Sequence, residues 1–181
     1  DISQRKVKEE RLLYVSQHDT LTGLYNRSVF EDEVNRLDQG NFWPVSIIMA
    51  DADGLKIIND QMGHAKGDEL LIRIAAILKN SVRESDIVSR IGGDEFAIIL
   101  PNADALSLQH VMDRIFEQIE EENRKTDNPF TISLSAGGMV CTQKGGLRET
   151  IKEADNRMYQ VKSQKKNQLY LNLPIIGRKK L

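Results

Sequence analysis

Two pairs of acids stand where apolar runs begin or end. Asp51 and Asp53 follow the run Val45–Ala50, VSIIMA, and Asp94 and Glu95 precede Phe96–Leu100, FAIIL. Short apolar runs bounded by turn residues read as buried strands, so both pairs are expected at strand ends. If the two strands are neighbours in one sheet, three or four carboxylates meet within one metal-binding distance. Such hard oxygen ligands suit Mg²⁺ or Mn²⁺. The competing reading is solvated turn acids, because Asp and Gly are common in turns for local reasons. Gly92 and Gly93 directly precede the second pair. Glycines let backbone approach a ligand closely and permit positive φ, and N–H groups in such a turn can hold phosphate oxygens. A glycine pair alone is an ordinary hairpin; joined to two acids between apolar strands it points to a metal and a phosphate.

The elements that would position these groups follow from periodicity. Ile87–Arg90 and Phe96–Leu100 flank the glycine turn as a hairpin. Leu70, Leu71, Ile74, Ala75, Ile77 and Leu78 recur at helical spacing after Gly67-Asp68. A helix from about Asp104 to Asn123 buries Leu108, Val111, Ile115 and Ile119. Leu147, Ile151, Ala154, Met158 and Val161 step by 4, 3, 4, 3, which is one helix face. Phe130–Met139 alternates as a further strand, and Leu169–Leu173 reads as a last edge strand. Strands and helices mix without a strict βαβ repeat, so an α+β fold is expected, an antiparallel-rich sheet with helices packed on it. Residues 1–17 carry Ile2, Val7, Leu12, Leu13 and Val15 among charges and read as a helical linker. It is either solvated or paired with a second copy.

The chain has 181 residues, 40% hydrophobic and 29% charged, with a formal net charge of −2. That is one globular domain with a short extension. The charge argues against wrapping duplex nucleic acid, which needs a basic excess. Cys141 is the only cysteine, so no internal disulfide forms. No apolar run approaches the about 20 residues of a membrane span, so no membrane contact is expected of this segment. The chain begins at Asp1 and reads as a piece of a longer protein, cytoplasmic in itself or the cytoplasmic part of a membrane-bound sensor.

Arg90–Phe96, RIGGDEF, resembles the signature of GGDEF-domain diguanylate cyclases. Three further blocks agree in order: His18–Arg27, HDTLTGLYNR; Asp51–Asp68, DADGLKIINDQMGHAKGD; and Ala154-Asp155 with Tyr159 and Lys162. The resemblance spans about residues 18 to 170. It implies the fold of nucleotidyl cyclases and polymerase palms, a central, mainly antiparallel five-stranded sheet flanked by helices. The implied organisation is a linker over 1–17, a catalytic domain over 18–173 and a tail over 174–181.

The implied reaction condenses two GTP into cyclic di-GMP and two pyrophosphates, in a homodimer whose half-sites face each other. Cyclic di-GMP is then both product and inhibitor. The alternative within the family is a non-catalytic receptor for GTP or cyclic di-GMP. By resemblance, Asp51, the Ala52 carbonyl, Asp94 and Glu95 hold two Mg²⁺ (or Mn²⁺) per site, and Asp94 helps deprotonate the attacking 3′-hydroxyl. Asp53 either joins them or holds the turn by bonding nearby backbone. Asn59, His64 and Asp68 line a guanine pocket; Asp68 alone would be a helix-start acid. Lys56, Lys162, Gly92 and Gly93 meet phosphates. Lys166 stands where relatives have Arg and lacks the bidentate fork. His18, Asp19, Thr22, Gly23, Asn26 and Arg27 shape the entry turn. Arg83 and Asp86 form an RxxD block that resembles the inhibitory product site, with Arg114 as a third member. Otherwise Arg83 and Asp86 are a surface ion pair at i, i+3.

Overall fold

The computed structural model describes residues 2–172. The elements in chain order are α1 (Ile2–Gln17), α2 (Arg27–Gln39), β1 (Val45–Ala52), α3 (Leu55–Met62), α4 (His64–Asn80), β2 (Ile87–Arg90), β3 (Glu95–Leu100), α5 (Ala105–Asn123), β4 (Leu134–Cys141) and α6 (Leu147–Asn172). The strands form one sheet in the order β2-β3-β1-β4, and every pairing is antiparallel. β1 is interior to the sheet and buried along its whole length, which is why it reads as an unbroken apolar run rather than an alternating one.

Helices cover both faces. Ile48, Ala50 and Ala52 pack with Leu70, Leu71, Ile74 and Leu78 of α4 and Ile115 of α5. Val45, Ile47 and Met49 pack with Phe30, Val34 and Leu37 of α2 and Leu147, Ala154 and Met158 of α6. Side chains alternate along a strand with period two. Asp51 and Asp53 therefore continue the odd-numbered set, toward α6.

The expected α+β architecture holds, with four strands among the described residues rather than five. α6 continues as helix to Asn172 where an edge strand was expected over Leu169–Leu173; Leu173 itself lies outside the described residues. The strand expected at Phe130–Met139 is displaced to Leu134–Cys141, because its register follows β1: Ala52 pairs Leu134 and Val45 pairs Cys141. The helix expected after Gly67-Asp68 begins at His64, so Asp68 lies in its second turn. Two helices escaped the periodicity. α2 is capped by Asn26, whose side chain accepts the Val29 N–H at 3.2 Å, and α3 is short with no residue fully buried. α1 leaves Val7, Leu12, Leu13, Tyr14 and Val15 exposed.

Candidate functional site

The ends of β1 and β3 meet as the strand-end acids require. Asp51 and Glu95 are cross-strand partners, and the Ala52 N–H donates to the Asp94 carbonyl at 2.8 Å. Asp51 is buried, at 5% exposure. Burial pushes its carboxyl above the usual range; a hydrogen bond from Lys162 opposes this, and the charges of Asp94 and Asp53 push the same way as burial. Lys162 Nζ donates to Asp51 Oδ1 at 2.5 Å. Burial would lower the Lys162 ammonium, but the Asp51 bond and the charges of Asp51, Asp94 and Asp53 outweigh it, and its pKa rises.

The full cluster does not close. Among the described residues no group of three His, Cys, Asp or Glu side chains is gathered to hold a metal ion, although the strands are neighbours. Asp53 has turned to β4, where its Oδ1 and Oδ2 accept the hydroxyls of Ser135 and Ser133, each at 2.7 Å. Its partners are side chains at the start of β4 and, from α6, Lys165, not the nearby backbone that the sequence suggested. The Glu95 carboxylate lies over Gly92, where a Cβ would meet Oε2 at 2.4 Å. Neither Gly92 nor Gly93 has a positive φ; Gly92 serves close approach instead. The donor chemistry still fits a hard divalent cation: Asp51 feels the charge of Asp94, and a cationic group already compensates Asp51.

Beside the acids lies a cleft of about 460 Å³ lined by Asp53, Gly54, Ile57, Ser133, Lys162 and Lys166, among others. α3 starts there with Gly54 at its N-cap, φ 76°, and no side chain capping it. Uncapped N–H groups and the helix dipole favour an anion, and Lys162 and Lys166 add charge. Lys56 is exposed on α3, and Lys166 is exposed on α6. On the other side of α3, the Asn59 side-chain oxygen is buried without a hydrogen-bond partner. It sits against α4 where Gly67 leaves room: a Cβ at Gly67 would meet Asn59 Oδ1 at 1.9 Å. Buried polar atoms are normally satisfied, and this oxygen is an exception. Asp68, one residue past Gly67, and His64, at the start of α4, are both exposed.

The profile described as "Diguanylate cyclase, GGDEF domain" matches residues 16–168. The chain belongs to this family. It is 34% identical over 167 residues to the uncharacterized protein YtrP of Bacillus subtilis and 34% identical over 169 residues to the diguanylate cyclase TpbB of Pseudomonas aeruginosa. Those matches cover 90% and 89% of this chain but only 28% and 39% of the relatives. The chain thus spans well under half the length of these relatives. Among solved structures it is similar to the coiled coil and GGDEF domain of DgcB from Caulobacter crescentus in complex with c-di-GMP. That match has a TM-score of 0.80 and 23% identity, over 90% of this chain and 89% of that one. It is also similar to the GGDEF domain of TpbB, with a TM-score of 0.70 and 34% identity, over 81% of this chain and 89% of that one.

The remaining motifs of this GGDEF domain divide into a frame and a second pocket. In the entry turn, Asp19 Oδ1 accepts the Thr22 N–H at 2.8 Å and the Thr22 hydroxyl at 2.7 Å. Arg90 Nη1 reaches both Asp19 oxygens at 3.0 and 3.1 Å and Nη2 donates to the Gly93 carbonyl at 2.8 Å. Asn26 Nδ2 donates to the Ser16 carbonyl at 2.8 Å. Gly23 has φ 72°, as the turn demands. His18 stacks between Tyr14 and Tyr25, and its Nδ1 lies 3.1 Å from the Gly23 carbonyl.

Arg83, Asp86 and Arg114 line one pocket together with His110. Asp86 is buried at 4% exposure. Its Oδ2 accepts the Arg83 backbone N–H at 2.8 Å, so the block is not a surface ion pair: the Arg83 guanidinium is left to project. Burial pushes the Asp86 carboxyl up, against the Arg83 N–H bond and the charges of Arg83, Arg114 and Lys79. His110 was missed in the sequence, where a lone histidine on a helix carries no pattern; its spacing of four residues before Arg114 was the usable signal. Lys165 was also missed. Its Nζ donates to Asp53 Oδ2 at 2.8 Å and to the Leu134 carbonyl at 2.6 Å.

Proposed function

We propose that this domain condenses two GTP into cyclic di-GMP, releasing two pyrophosphates, in a homodimer whose half-sites face each other. The observation that carries this reading is the meeting of Asp51 and Glu95 in cross-strand register, with Asp94 beside them and Lys162 opposite. Asp51, the Ala52 carbonyl, Asp94 and Glu95 would hold two Mg²⁺ or Mn²⁺, which neutralise triphosphate charge and activate the hydroxyl. The uncapped start of α3, with Lys56, Lys162 and Lys166, receives the triphosphate; Gly92 and Gly93 let it approach. Asn59, His64 and Asp68 take the guanine. Asp68 accepts from its N1–H and amine, a donor pair that adenine lacks, so ATP leaves that carboxylate unpaired.

The Asp94 carboxylate accepts the proton of one GTP's 3′-hydroxyl. The 3′-oxygen bonds to the α-phosphorus of the other GTP, and the bond to pyrophosphate breaks. The same step repeated from the second half-site closes the ring. Incubation with GTP and Mg²⁺ followed by mass spectrometry tests this reading; a protein that binds GTP without turning it over would instead be a receptor.

Gly67→Ala tests the place of Asn59 in base binding. The added methyl must displace the Asn59 amide, so KM for GTP should rise about tenfold, the scale of one lost hydrogen bond to a ligand. The helix-propensity gain of alanine, roughly 1 kcal/mol, is set against crowding of Asn59 and Leu55, so a thermal melt serves as the folding control. A variant with unchanged KM would remove Asn59 from the base site.

The pocket of Arg83, Asp86 and Arg114 is proposed as the inhibitory product site. The free guanidinium of Arg83 would fork onto a phosphate of cyclic di-GMP. Inhibition should be non-competitive with GTP, because the pocket and the acids are lined by different residues. Arg83→Ala should raise the inhibition constant at least about tenfold, the scale of one charge-assisted contact. Competitive inhibition, or an unchanged constant, would contradict the assignment.

A further inference from the structure

Lys162 and Lys165 lie three residues apart on α6 and so neighbour each other on its surface. Asp51 lies on β1 and Asp53 one residue past its end, and each meets one of these lysines. The result is two ion pairs side by side, Lys162 with Asp51 at 2.5 Å and Lys165 with Asp53 at 2.8 Å. The two lysines are engaged differently. The Lys165 ammonium has three acceptors: Asp53 Oδ2, the Leu134 carbonyl at 2.6 Å and the Ser133 hydroxyl at 3.3 Å. An ammonium has three N–H donors, so Lys165 is fully spent on the protein. Both lysines line the cleft, but Lys162 has one partner, Asp51.

Asp53 accepts from two serine hydroxyls and from Lys165, its one cationic partner. Its charge nonetheless acts on Lys162. Without Lys165, Asp53 would keep its negative charge with only hydroxyls to balance it, and Lys162 would be the nearest cation on the same helix face. We propose that Lys165 is a positioning residue: by neutralising Asp53 it keeps Lys162 on Asp51 and free to reach the substrate phosphates. This rests on the nucleotide reading of the cleft given above.

The test compares binding of a non-hydrolysable GTP analogue, by calorimetry in the presence of Mg²⁺, to the parent, Lys165→Met and the double variant Lys165→Met/Asp53→Asn. Lys165→Met should weaken binding about tenfold, the scale of losing one charge-assisted phosphate contact. The double variant should recover most of that loss, because the competing charge is gone. A merely bracing role predicts the reverse, since the double variant loses still more of the contact between α6 and the sheet. Thermal melts confirm that each variant is folded; if Lys165→Met is not, Lys165→Gln, whose amide can still donate to Leu134, takes its place. Unchanged binding in the single variant, or a double variant no better than the single, overturns the inference. A parent that binds no analogue overturns the nucleotide reading itself, and this inference with it.

Discussion

Asp94→Asn is expected to leave the fold intact and to abolish synthesis. The structural contribution of Asp94 to its turn is made by its backbone carbonyl, which accepts the Ala52 N–H, and asparagine keeps that bond. What the substitution removes is the charge beside Asp51 and the proposed proton acceptor for the 3′-hydroxyl. Deleting one such electrostatic group costs about 10² or more in kcat. Steady-state kinetics, with a thermal melt as control, read both halves of the expectation. Near-normal turnover in a folded Asp94→Asn protein would remove Asp94 from the chemistry.

The second large effect is on concentration dependence. In the proposed reaction one domain supplies half of a symmetric condensation, because each 3′-hydroxyl must reach the α-phosphorus held by the other copy. α1 offers Val7, Leu12, Leu13 and Val15 to solvent, a surface on which two copies can pair, yet it lies among many charges. Below the dimer dissociation constant the rate should therefore rise with the square of protein concentration. A leucine zipper fused ahead of residue 1, in helical phase with α1, should raise specific activity at low concentration through effective concentration. A linear rate where sedimentation finds only monomer would exclude facing half-sites.

The strand-end acids were legible in the sequence because both the strands and the breaks after them are written in residue type: an apolar run, then Asp, Gly or Glu. That made β1, the β2–β3 hairpin and the meeting of Asp51 with Glu95 predictable before any geometry. The side-chain directions were not. Asp53 was drawn to β4 by two serines 80 and 82 residues away, a pairing that exists only once β4 is in register. Lys165 reads as one more lysine in a basic stretch until α6 is laid over the sheet. α3 was missed because eight residues are too few for an apolar pattern to separate a helix from a strand. The start of α4 was misplaced because Gly67 looks like a helix boundary; it is a glycine for the sake of Asn59, not of the backbone. The edge strand expected at Leu169–Leu173 rested on a short apolar run, the pattern that least separates strand from helix.

Equal parts of unlabelled and uniformly ¹⁵N-labelled GTP, supplied with Mg²⁺ and followed by mass spectrometry of the products, test whether this domain joins two GTP molecules. Cyclic di-GMP should appear in light, mixed and heavy forms in binomial proportion, with two pyrophosphates released for each ring. A folded, dimeric protein that binds GTP yet yields no cyclic di-GMP, or a product built from a single labelled or unlabelled nucleotide, would contradict the condensation of two GTP.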